Sequence, residues 1–65
     1  MTPATFTNQI EAYYDKPYTK AVHEIISAYL RRYTDRELDA LFEAVILTYP
    51  GVYGKVPDVA IFERA

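Results

Sequence analysis

Few side chains in this sequence have reactive potential. His23 is the only histidine and there is no cysteine, so thiolate nucleophiles, disulfides and zinc–thiolate sites are excluded. His23 opens the run His23-Glu24-Ile25-Ile26-Ser27. A zinc-protease helix needs a second imidazole one turn after the first, and Ser27 stands in that place. What remains is a His23–Ser27 pair at i, i+4, within hydrogen-bonding reach on one helical face. A hydroxyl beside an imidazole is the start of a nucleophile–base pair, but an exposed helical face implies neither a cleft nor oxyanion donors. The pair reads as part of a solvated face. Asp35, Glu37, Asp39 and Glu43 form a carboxylate cluster. Asp35, Asp39 and Glu43 recur at four-residue steps, an arrangement that is mildly repulsive. A catalytic carboxylate pair needs a pocket to raise one pKa, which four short helices seldom enclose. The cluster reads as a solvated acidic face, or as a docking face for a basic partner. No catalytic residue, cofactor site or metal site is expected, and the chain reads as a non-enzyme.

Arg31, Arg32 and Arg36, with Tyr33 among them, could touch phosphate. They sit beside Asp35, Glu37 and Asp39, so the local field is mixed. A helix-turn-helix would use residues 57–64 as its reading helix. That segment has two acidic residues, one basic residue and no Asn, Gln or Ser for base edges. Direct major-groove readout fails on that count.

Four helical segments must position these groups. The first spans residues 3–14, with Phe6, Ile10, Tyr13 and Tyr14 at helical spacing. Thr2 is its expected N-cap, and Pro3 sits in the first turn, where its missing N–H is harmless. Asp15 is expected to cap a second helix over 16–33, with Pro17 in its first turn. Its stripe is Tyr18, Val22, Ile25, Ile26, Tyr29 and Tyr33, and Arg31 and Arg32 oppose the helix dipole in the last turn. Thr34-Asp35-Arg36-Glu37 reads as a capping box, opening a third helix over 35–49 with Leu38, Leu41, Phe42, Val45 and Tyr49 on its stripe. Ile46 and Leu47 widen that stripe, and Pro50-Gly51 stops the helix. Only a tight corner separates the second and third helices. After a loop over 50–56, Pro57 opens a short helix to about residue 64. No segment alternates with a period of two. The expected fold is all-α: three main helices and a short C-terminal one, in a single domain over 1–65.

Composition agrees. The chain has 65 residues, 51% apolar and 15% aromatic, with seven tyrosines, a globular mixture rather than a disordered one. Net charge is −2, which argues against a general nucleic-acid coat. Residues 1–33 carry four basic and three acidic groups, whereas 34–65 carry three basic and six acidic. The uncharged run 44–54 is too short to span a bilayer and is interrupted by Pro50. The first fifteen residues lack the basic start and apolar core of a secretory signal, so a cytoplasmic protein is expected, with no membrane and no nucleic acid among its partners.

The tyrosines carry the most information about contacts. Each couples a large apolar area to a polar tip, a combination favoured at interfaces. A core this small rarely supplies more than about 3–5 kcal/mol without disulfides or metal. Apolar surplus nevertheless remains at Ile46, Leu47, Ile61 and Phe62. Self-association is the simplest way to bury it, and a two-fold homodimer is the commonest form. The expected partner-binding surface combines Tyr49, Val52, Tyr53 and Lys55 with Ile61 and Phe62.

Residues 29–34, Tyr29-Leu30-Arg31-Arg32-Tyr33-Thr34, lead into the acidic amphipathic helix. Residues 49–58, Tyr49-Pro50-Gly51-Val52-Tyr53-Gly54-Lys55-Val56-Pro57-Asp58, then lead into the last helix. This arrangement is similar to the small helical modules of phage and prophage replication proteins, the helicase loaders and replisome organisers. The resemblance covers a little over half the chain and rests on the Pro-centred turn. It implies a non-enzymatic adaptor that docks on a replication protein. The chain departs from it in lacking a basic DNA-binding segment and any Walker-type phosphate loop. The expected function is a protein-binding or regulatory module that self-associates. The alternative is a small DNA-associated regulatory protein.

Overall fold

The computed structural model describes residues 1–51 and 54–65. They form four helices: α1 (Pro3–Tyr14), α2 (Lys20–Leu30), α3 (Asp35–Thr48) and α4 (Val59–Arg64). No strand occurs among the described residues. α1 packs against both α2 and α3, and α4 lies on α3. No helix of the described residues is long and apolar enough to cross a membrane.

The helix ends follow local capping chemistry. The Thr2 side chain accepts from the Thr5 N–H and opens α1. At α3 the capping box is complete: Thr34 accepts from the Glu37 N–H at 3.2 Å, and the Glu37 carboxylate accepts from the Thr34 N–H at 2.7 Å. Such a cap contributes about 1 kcal/mol. Tyr49 ends α3 in an extended conformation before Pro50 and Gly51.

α2 differs from the expectation at both ends. Asp15 does not cap it; instead Asp15 ends α1 in the left-handed region, with φ of 54°. Residues 16–19 are a connector, and Thr19 is the N-cap, accepting from the Val22 N–H. The cause is Pro17. A residue preceding proline is pushed out of the helical region, so Lys16 cannot serve as a first helical residue. The Tyr18 N–H donates to Glu11 Oε2 at 2.7 Å, which ties the connector to α1. At the other end α2 stops at Leu30, with Arg31 as its C-cap. The corner is therefore four residues long, closed by the Tyr33 N–H donating to Leu30 O.

The core draws on every element: Phe6 and Ile10, Tyr18 from the connector, Ile26 and Leu30, Leu38, Leu41 and Val45, and Phe62. Phe6 is its centre, meeting Phe42 and Phe62 edge-on at 5.9 and 5.4 Å. Buried Thr7 is satisfied by donating to Pro3 O and Ala4 O of its own helix. The shortened α2 also turns a different face inward. Ile26 and Leu30 are buried, whereas Val22 and Ile25, expected on the core stripe, are exposed.

Candidate functional site

The proline that displaces α2 also lines a recess among the described residues. The connector and the start of α2 face the residues after the Gly54 turn. Between them lies a groove of about 380 Å³ lined by Lys16, Pro17, Tyr18, Thr19, Val22, Lys55, Val56 and Asp58. Its floor is apolar and its rim carries the two lysines. Three contacts hold the walls together. Lys16 Nζ donates to Gly54 O at 2.8 Å. The Tyr18 hydroxyl donates to Pro57 O in the interior. The Tyr49 hydroxyl donates to Lys55 O at 3.2 Å. Outside the groove the apolar surface continues along α2 from Val22 to Ile25, one turn on, where Ile25 is 63% exposed.

Of the expected contact residues, Lys55 lines this groove. Tyr49 lies beside it but is half-buried, its ring edge-on to Tyr14 at 5.5 Å, so it packs on α1 rather than presenting a free face. Ile61 is half-buried. Phe62 must be removed from the contact surface: at 2% exposure it is a core residue, because α4 starts at Val59 and its one inward turn points Phe62 at Phe6 and Tyr29. Val52 and Tyr53 lie outside the described residues. Of the expected apolar surplus, Leu47 stands out at 76% exposure while Ile46 is half-buried. Apart from Lys55, none of the groove's lining residues was expected at the contact surface, Tyr18 and Thr19 included. The available signal was Pro17, whose effect on Lys16 forbids the longer helix.

The other groups singled out by chemistry are dispersed. Ser27 Oγ and His23 Nδ1 are 3.4 Å apart on half-buried side chains. No group of three or more His, Cys, Asp or Glu among the described residues could hold a metal ion. Arg32 is engaged internally: its guanidinium lies 4.9 Å over the Tyr29 ring and 3.8 Å from Glu63 Oε1. Of the three arginines considered for phosphate contact, it is therefore the one committed among the described residues. Asp39 takes an ion pair with the Met1 amino group.

The groove's floor titrates in a defined direction. Burial holds the Tyr18 phenol well above the usual tyrosine range, and the Glu11 and Asp58 carboxylates add to the shift. Burial also raises Tyr14, with Tyr13 and Tyr49 contributing. An unfolded chain releases a tyrosine proton near the ordinary value of 10.0, while the folded chain keeps it. The unfolded state then binds fewer protons, so stability present below about pH 10 falls as pH rises beyond it. Tyr18→Phe is expected to flatten that alkaline limb, leaving the part due to Tyr14 and to Tyr29, which burial and its hydrogen bonds to Tyr33 and Glu63 also raise. Chemical denaturation between pH 8 and 11 checks this, and parallel limbs for variant and wild type would remove Tyr18 as the source.

No protein-family model, curated protein or solved structure matches this chain.

Proposed function

We propose that this chain is a non-enzymatic protein-binding module that acts in the cytoplasm and associates with itself as a homodimer. The observation that carries the reading is the groove: an apolar floor with a lysine rim, continuous through Val22 with the exposed Ile25 of α2. A recess of this kind offers a desolvated centre and a polar edge, the anatomy of a protein contact. The exposed Leu47 on α3 adds an apolar side chain of the kind that a second surface would cover. The Pro-centred turn over residues 49–58 supports the narrower reading of an adaptor of the sort carried by phage and prophage replication proteins.

Self-association is tested by light scattering coupled to size exclusion. The expected mass rises above the 7.5 kDa of one chain as concentration increases through the micromolar range. A constant 7.5 kDa across that range overturns the homodimer.

A further inference from the structure

The sequence contains three lysines, at positions 16, 20 and 55. Lys16 and Lys55 line the groove. A chain of net charge −2 thus places two of its three lysines on the lining of one apolar recess. Asp58 is the carboxylate that lines it, and its Oδ1 is occupied in accepting from the Ile61 N–H.

The chain carries a complementary surface of its own. On α3, Asp39, Glu43 and Leu47 follow at four-residue steps and share one outward face. All three are exposed. Asp39 is held by the Met1 amino group, whereas Glu43 has no ion pair among the described residues. Leu47, one turn beyond Glu43, is the most exposed large apolar side chain of the described residues. A leucine one turn from a carboxylate matches a recess with an apolar floor and an ammonium rim, and opposite potentials across a contact fix its register.

We infer that the groove is filled by α3 of a second copy, with Leu47 seated on Pro17, Tyr18 and Val56 and Glu43 facing Lys55, while Lys16 stays on Gly54 O. This rests on the self-association proposed above. Because the groove and the α3 face are different surfaces, a closed two-fold pair makes the contact twice.

Reciprocity makes the test specific. Glu43→Lys and Lys55→Glu change exposed side chains, so each variant keeps its helical content by circular dichroism. In a homodimer of either variant both contacts juxtapose like charges. The dimer constant of each is expected to weaken roughly tenfold, the effect of two exposed pairs turned repulsive. Mixing the two variants sets the ammonium introduced by Glu43→Lys against the carboxylate introduced by Lys55→Glu. The second contact of that mixed pair is native, with Glu43 of one copy facing Lys55 of the other. The mixture therefore regains wild-type association in sedimentation velocity. Wild-type dimers with unaffected variants, or weakened variants that stay apart on mixing, overturn the assigned contact while self-association stands. A monomeric wild type overturns both.

Discussion

Phe62→Ala is expected to leave the chain without a cooperative fold. Phe62 is 2% exposed, meets Phe6 edge-on at 5.4 Å and stacks on Tyr29 at 6.2 Å. Truncating a buried phenylalanine to alanine removes about 3–5 kcal/mol, transfer and cavity together. A domain of this length without disulfides or metal rarely has a total stability above about 3–5 kcal/mol. The loss therefore matches the whole. α4 is six residues long, far below the length at which a helix persists by itself, so its one buried side chain is what fastens it to Phe6 of α1 and Tyr29 of α2. Phe62→Leu keeps most of the volume and forfeits mainly the ring contacts, about 1–2 kcal/mol, and retains a cooperative melt. Thermal unfolding by circular dichroism separates the outcomes. A Phe62→Ala variant that melts cooperatively near the wild-type temperature but has lost its self-association would return Phe62 to the contact surface.

Phe62 also shows how far the sequence can be read. The caps were legible because their chemistry spans three residues: Thr2 to Thr5, and Thr34 to Glu37. The stripe Leu38, Leu41, Val45 was legible because α3 is long enough for its period to declare itself. In α4 a single turn gives no period, so Ile61 and Phe62 looked equivalent although one is half-buried and the other is core. Competing local signals decided α2. Asp15 and Thr19 are both good N-caps, and the connector conformation imposed on Lys16 by Pro17 selects Thr19. That shift carried Tyr18 out of the helix and into the core, where its hydroxyl reaches Pro57 O across 39 positions of sequence. The groove depends on the same long-range pairing, Lys16 with Gly54, and no local pattern announces it.

Gly51→Ala is expected to destabilise the fold well beyond Gly54→Ala, although the two glycines share nearly the same backbone. Gly51 has φ of 67° and Gly54 has φ of 65°, both in the left-handed region that disfavours side chains by about 1–2 kcal/mol. Their surroundings differ. A Cβ on Gly54 meets nothing within 4 Å, whereas a Cβ on Gly51 would stand 2.8 and 2.9 Å from Cδ1 and Cε1 of Tyr14. That ring cannot easily yield. Its hydroxyl donates to Tyr49 O at 2.9 Å, and its faces are edged by Tyr13 and Tyr49 at 4.9 and 5.5 Å. Forcing a methyl against it adds an overpacking term of about 1–3 kcal/mol, bringing Gly51→Ala to about 2–5 kcal/mol against about 1–2 for Gly54→Ala. The first displaces the Tyr14–Tyr49 contact at the end of α3. The second only strains a solvent-facing turn. Thermal unfolding of the two single variants measures the difference. Equal penalties for Gly51→Ala and Gly54→Ala would mean that the close approach plays no part, and that the two glycines are needed only for their backbone angle.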